Sequence, residues 1–271
     1  MLLAINTGHL NVLDEGPRDG LPVVFLHGFP FSHAMWAPQT AVASQRFRTV
    51  SYDIRGHGLS DVGEGQYTIE GHLDDLIAIL DHLTIDRAVI VGLSMGGYIA
   101  LRALEREQHR FLGAVLCDTR SEADTDEARL KRFEALKSVR HNGSAAFAEG
   151  FVRAVFAEES FQRHPEAVAR IRKIIERTPP LSIAGTLLAL ASRTDTTPAL
   201  PRISVPTLIL VGAKDTTTPP AASEAMHRKI PRSELAIIPE AAHVSNLENT
   251  EVFNRHLFAF LDALATRRAR S

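Results

Sequence analysis

Seven short apolar runs, each separated from the next by polar or helix-patterned chain, constrain the fold of this sequence more than any other feature. They fall at residues 2–5, 23–26, 49–52, 88–91, 112–116, 207–211 and 235–238. Runs this short, bounded by turn residues, read as strands, and strands that alternate with helical stretches build a mainly parallel sheet flanked by helices. The clearest helix signal lies between Thr68, a side chain suited to an N-cap, and Leu83: Ile69, Leu73, Leu76, Ile77, Leu80 and Leu83 share one face. At the start of the chain, Asn6, Thr7 and Gly8 separate residues 2–5 from 10–13, which suits a β-hairpin opening the sheet.

Between about residues 120 and 201 the rhythm stops. No strand-like run occurs, and helical stretches are expected at 121–141, 144–156, 165–177 and 181–192, with Pro179, Pro180, Pro198 and Pro201 marking the exit. The expected organisation is therefore an α/β core formed by residues 1–119 and 202–271, with residues 120–201 inserted as a helical cap. A chain of 271 residues with 45% hydrophobic content can bury such a core. A formal net charge of −2 gives no electrostatic case for nucleic acid or an anionic membrane as partner. Residues 1–5 are too short an apolar start for a signal peptide, and nothing elsewhere reaches transmembrane length. The lone Cys117 follows apolar residues 114–116 and reads as a core thiol with no disulfide partner. A cytoplasmic protein is the expectation, with its oligomeric state open.

The chemistry centres on Val91-Gly92-Leu93-Ser94-Met95-Gly96-Gly97. A serine swung out between a strand and a helix sits in a strained turn with neighbours on both sides, and glycine two residues before and after relieves the crowding. The required context is present: a strand at 88–91, and helical spacing in Tyr98, Ile99, Leu101 and Leu104. A serine hydroxyl needs a base, and the base needs an orienting acid. Asp215 follows the 207–211 strand and His243 follows the 235–238 strand, so both reach the C-terminal edge of the sheet, where open α/β sheets bind ligands. Asp215 is favoured over Asp118 as the acid on chain order, and His243 over His57 as the base; a turn-shaping role accounts for His57. The oxyanion formed by serine attack requires preorganised donors. The amide of Met95 at the helix N-terminus supplies one, and the amide of Phe29, in the loop after residues 23–26, the other; Pro30 has no N–H to give.

On these residues the chain resembles the α/β-hydrolase superfamily. The match runs through His27-Gly28-Phe29-Pro30, Asp53-x-Arg55-Gly56-His57-Gly58-x-Ser60, Gly92-x-Ser94-x-Gly96-Gly97, Gly212-x-x-Asp215 and the late His243. The resemblance implies an α/β-hydrolase fold, a mostly parallel eight-stranded sheet with a helical cap inserted after the sixth strand. Asp118-Thr119-Arg120-x-x-Ala123-Asp124 and the surroundings of Trp36 are similar to the carboxylesterase and 3-oxoadipate enol-lactonase-like group. What this implies is a serine hydrolase that cleaves a carboxylic ester or lactone through an acyl-enzyme, needing neither cofactor nor metal.

Ser94 stands where haloalkane dehalogenases and epoxide hydrolases carry aspartate, which sets those relatives aside. Pro30 and Ser94-Met95-Gly96-Gly97 are also similar to the cofactor-free perhydrolases, or non-haem haloperoxidases. Carbon–carbon bond hydrolases use a similar triad, and some members of the superfamily are ligand-sensing receptors. These three readings stay open beside the esterase one. There is no His-Glu-x-x-His, no paired Cys-x-x-Cys and no Gly-x-x-x-x-Gly-Lys loop. In the cap, Phe147, Phe151, Val155, Phe156, Leu181, Ile183, Leu187 and Leu190 fall at helical spacing and are expected mainly to join cap helix to cap helix. Arg132, Arg140, Arg170 and Arg172 are expected on solvated faces rather than on a substrate carboxylate.

Overall fold

The computed structural model describes residues 1–6 and 8–270, the last by its backbone alone. Eight strands form one sheet: β1 (Leu2–Ile5), β2 (Gly8–Glu15), β3 (Pro22–Leu26), β4 (Arg48–Tyr52), β5 (Ala88–Leu93), β6 (Phe111–Cys117), β7 (Thr207–Gly212) and β8 (Ser233–Ile238). Their spatial order is β1-β2-β4-β3-β5-β6-β7-β8. β1 and β2 pair antiparallel, as do β2 and β4, while every later pairing is parallel. This is the expected sheet of the α/β-hydrolase fold. Thr7, in the expected hairpin turn, lies outside the described residues.

Ten helices accompany the sheet among the described residues: α1 (Ala37–Ala43), α2 (Ile69–His82), α3 (Met95–Arg106), α4 (Asp126–Val155), α5 (Ser160–Arg163), α6 (Pro165–Arg177), α7 (Pro180–Ser192), α8 (Pro220–His227), α9 (Ser245–Glu248) and α10 (Thr250–Arg270). Every residue of β3, β4, β5 and β7 is buried. Successive strand side chains point to opposite faces, so burial of all of them means that both faces are covered. That is why these strands read as continuous apolar runs. Among the described residues no helix is long and apolar enough to cross a membrane.

The register aligns the strand ends that matter. Leu26 of β3 pairs with Gly92 of β5, Leu93 of β5 with Cys117 of β6, Cys117 with Leu210 of β7, and Gly212 of β7 with Ile238 of β8. The loops that follow these strands therefore leave the sheet along one edge.

Thr68 caps α2 as expected, its hydroxyl accepting from the Gly71 amide at 2.9 Å. Between β6 and β7 the chain is helical, with two departures from expectation. The first helix starts at Asp126, five residues later than expected, behind Thr125, whose hydroxyl accepts from the Ala128 amide. Residues 121–125 are held out of the helix by tertiary bonds: Ser121 accepts from Thr196, and the Asp124 carboxylate takes Arg132 and Arg193. Ser160–Arg163 also forms a short helix that no periodicity announced. The expected break at Asn142-Gly143 is present as a kink inside α4, with Gly143 at φ 79°, a backbone angle at which glycine alone is unstrained.

Candidate active site

The turn between β5 and α3 consists of Ser94 alone, at φ 53° and ψ −113°. A non-glycine residue in such a conformation costs on the order of 1–3 kcal/mol and persists only where its surroundings impose it. Here the Ser94 amide donates to the Cys117 carbonyl at 2.9 Å, and the Thr119 hydroxyl donates to the Ser94 carbonyl at 2.9 Å. Backbone contact fixes the flanking glycines. A Cβ on Gly92 would stand 2.3 Å from the Gly96 carbonyl oxygen, and one on Gly96 would stand 2.3 Å from that of Leu26. The start of α3 thus presses onto β3 and β5 with no space for a side chain.

Ser94 Oγ lies 2.9 Å from His243 Nε2, and His243 Nδ1 lies 2.8 Å from Asp215 Oδ2. Ser94 is 8% exposed, and His243 and Asp215 are 2% exposed. An ionised carboxylate only accepts, so Nδ1 carries the proton toward Asp215 and Nε2 is left to accept from Ser94. Asp215 is itself tied down: Oδ1 accepts from the Thr217 and Thr218 amides at 2.8 and 3.0 Å, and Oδ2 from the Thr218 hydroxyl at 2.7 Å. Burial alone would raise its pKa. The charge and hydrogen bond of His243, with the Thr218 bonds, outweigh burial and hold the carboxyl below its ordinary range. Thr218 escaped sequence reasoning, although an aspartate followed by three threonines before a proline pair is a recognisable self-capping turn.

The two rivals lie elsewhere. Asp118 accepts from the Gly212 amide at 2.8 Å and from the Ser245 hydroxyl, with no bond to His243. Complete burial, and then the nearby Asp215 charge, push its carboxyl well above the ordinary range. His57 donates Nδ1–H to the Arg55 carbonyl at 3.2 Å, and its ring lies against those of His27 and Phe29. Burial lowers its pKa to about 3. Around it the Asp53-x-Arg55-Gly56-His57-Gly58-x-Ser60 stretch is knit by Asp53, which takes His33, Asn11 and the Leu59 amide. Arg55 pairs with Asp75. The role of His33 had no sequence signal, because its partner is twenty residues away.

The Met95 amide opens α3, where the helix dipole is positive. The Phe29 amide lies in the loop after β3, next to Gly28, where a Cβ would stand 3.3 Å from the Leu93 carbonyl oxygen. Among the described residues neither amide has an acceptor. Both are free to meet a ligand oxygen.

The aromatic residues of α4 correct one expectation. Phe147 and Phe151 stack on each other, but they also lean on Phe29, with centroids at 6.1 and 5.8 Å, and Phe151 lies 6.0 Å from Phe31. They join the helical segment to the loop after β3 rather than only to other helices of that segment. Phe156 packs on Phe161, and Leu181 is half exposed. Arg132 is not on a solvated face, since it binds the buried Asp124, while Arg172 pairs with Glu149 and Arg140 and Arg170 are exposed.

Residues 22–250 match the model of the alpha/beta hydrolase fold family. The 3-oxoadipate enol-lactonase 1 of Acinetobacter baylyi is 31% identical over 255 residues, 94% of each chain. A non-heme chloroperoxidase of Streptomyces lividans is 30% identical over 263 residues, covering 92% of this chain and 94% of its own. Among solved structures, a thermophilic esterase from Thermogutta terrifontis, with malate bound, superposes at a TM-score of 0.93 with 36% identity, covering 98% of this chain and 99% of its own.

Proposed function

This chain belongs to the alpha/beta hydrolase fold family, and on that premise we propose that it hydrolyses a carboxylic ester or lactone through an acyl-enzyme on Ser94. The observation that carries the reading is the unbroken run of hydrogen bonds from Ser94 Oγ through His243 to Asp215, on a serine held in a strained turn. His243 Nε2 takes the hydroxyl proton as Oγ attacks the carbonyl carbon. The oxyanion is met by the Phe29 and Met95 amides, which need no reorganisation at that moment. Collapse breaks the bond to the alcohol or enol oxygen, which receives the proton from His243. Water then attacks the acyl-serine, giving its proton to the same Nε2, and the acid leaves as Oγ is reprotonated. Asp215 holds the tautomer and stabilises the imidazolium between the two transfers. The proton leaves and returns through one nitrogen, so water balances the cycle.

Residues 120–201 are proposed as a cap over the core of residues 1–119 and 202–271, with a small-molecule substrate bound between them. The names of the matched enol-lactonase and esterase support the substrate class. Ser94→Ala should cut turnover of short p-nitrophenyl esters by up to ~10⁶-fold. Activity surviving that change would sink the proposal. A fluorophosphonate should label Ser94, and multiple turnovers separate an enzyme from a receptor, which would give little beyond a single-turnover burst. Assaying a panel of esters and lactones with and without peroxide tells water from peroxide as the acyl acceptor, the choice raised by the chloroperoxidase match.

A further inference from the structure

Glu248, five residues after His243, is 2% exposed. A glutamate is rarely buried so fully unless partners meet its oxygens, and here every partner is a donor. Oε1 accepts from the Ala242 amide at 2.8 Å. Oε2 accepts from the Ala157 amide at 2.7 Å and the Ser160 hydroxyl at 2.6 Å. One carboxylate thus joins the residue directly before His243 to the chain just beyond the end of α4. The next residue repeats the link without a side chain, as the His243 amide donates to the Val155 carbonyl at 3.0 Å. At the surface, Arg163 pairs with Glu240 and Lys214 with Glu159, tying the same stretch to the loops of His243 and Asp215. Both pairs are exposed, where an ion pair contributes little. Glu248 is the buried member of the set.

Resting on the proposed roles of Ser94, His243 and Asp215, we infer that Glu248 is the positioning residue of the base, seating the His243 loop and residues 155–160 as one unit. Its two oxygens face three donors. Glutamine at this position keeps one acceptor oxygen and turns an amide N–H₂ toward the other side, so either the Ala242 bond or the Ala157 bond is lost. The reach of Nε2 to Oγ depends on that seating, and a shift of about 1 Å in a reacting group costs on the order of 100-fold in rate.

The experiment compares wild type, Glu248→Gln, Ser160→Ala and Glu240→Gln, with Ser94→Ala and His243→Ala alongside. It records kcat and KM on a p-nitrophenyl ester, the rate of fluorophosphonate labelling of Ser94, and thermal unfolding, with assays well below each midpoint. Glu248→Gln should lower kcat by ~10–100-fold with KM nearly unchanged, and slow labelling by a similar factor. Ser160→Ala, which removes one of the three hydrogen bonds and threatens folding less than Glu248→Gln, should move kcat and labelling the same way by about 3-fold, on the order of one hydrogen bond to a charged group partly replaced by water. Glu240→Gln breaks only the exposed pair and should leave all three readings near wild type. If Glu248→Gln melts lower yet keeps wild-type kcat and labelling, the glutamate is only structural and the inference is overturned. If Glu248→Gln does not fold, unchanged kcat and labelling in Ser160→Ala overturn it instead. Turnover surviving in Ser94→Ala or His243→Ala would mean that the triad reading itself has failed. Dead triad variants beside a fully active Glu248→Gln would remove only the role of Glu248.

Discussion

The rings of Phe29 and Phe151 stand perpendicular, 5.8 Å between centroids, so the residue that offers the Phe29 amide is packed by a helix from the segment between β6 and β7. An edge-to-face pair contributes about 0.5–1.5 kcal/mol beyond the area it buries. Phe151→Ala removes this pair and the one with Phe31, loosening the loop that carries the amide. Loss of a well-placed oxyanion donor costs ~100–1000-fold, and partial misplacement should cost about 10-fold in kcat. The vacated space should favour longer acyl chains, so the ratio of kcat/KM for a p-nitrophenyl hexanoate over the acetate should rise. An unchanged ratio together with an unchanged kcat would separate Phe151 from the site.

Gly96→Ala tests whether the elbow is a steric necessity. The new Cβ would stand 2.3 Å from the Leu26 carbonyl oxygen and 2.7 Å from its carbonyl carbon, and backbone of a central strand cannot yield as the end of a flexible side chain could. Overpacking of this kind typically costs 1–3 kcal/mol and more where backbone must move. The variant should lose at least about 5 °C in Tm, on the scaling for a domain of this size, and retain little esterase activity. Gly150→Ala, where nothing beyond the adjoining turns of its own helix lies within 4 Å of the added Cβ, serves as the control and should melt no lower than wild type.

Much of this could be read from the sequence because the informative features were local. All seven runs became strands to within two residues at their ends, and Thr68 capped α2, since run length and capping act within a few residues. That Ser94, His243 and Asp215 meet was legible because each follows a strand, and parallel strands deliver their following loops to one edge. What escaped depended on contacts distant in sequence. The delayed start of α4 is set by Asp124 with Arg193, and the burial of Glu248 by Ala157 and Ser160. No periodicity encodes such pairs. Phe147 and Phe151 carried the right spacing, but spacing does not say which neighbour a helix face will meet.

The two buried aspartates near His243 should behave differently when made neutral. Asp118, with its carboxyl pushed well above the ordinary range, is best mimicked by asparagine, which still accepts from the Gly212 amide. Asp118→Asn should therefore keep kcat within about 3-fold of wild type, the order expected for exchanging one uncharged hydrogen bond for another. Asp215→Asn presents an amide where His243 Nδ1–H needs an acceptor, which favours the wrong tautomer and should cost ~10⁴ in kcat. Single-turnover acylation rates of the two variants decide the matter. Equal losses would return Asp118 to consideration as the acid.

Stability should fall on mild acidification, because of three buried histidines, His27 and His57 in the loops after β3 and β4 and His72 in α2. Burial drives the pKa of His27 down to about 4 and those of His57 and His72 to about 3, from an ordinary 6.5. All three stay neutral in the native state well below the pH at which the unfolded chain binds their protons. The unfolded state therefore binds more protons between those limits, so stability is fully present above about pH 6.5 and declines as pH falls toward 4, by up to ~1.4 kcal/mol per pH unit for each histidine. Glu248 and Asp118 oppose this in part. Burial raises their native pKa values, so they take up protons in the folded state first. Asp53 and Asp215, held low, add their own loss only below about pH 4. Urea unfolding at pH 7, 5.5 and 4.5 should show a steady decline in ΔG. His72→Leu should flatten that slope by about one proton, since one of the three sites no longer titrates. A wild-type ΔG independent of pH over this window would mean that the three imidazoles are not held neutral by burial.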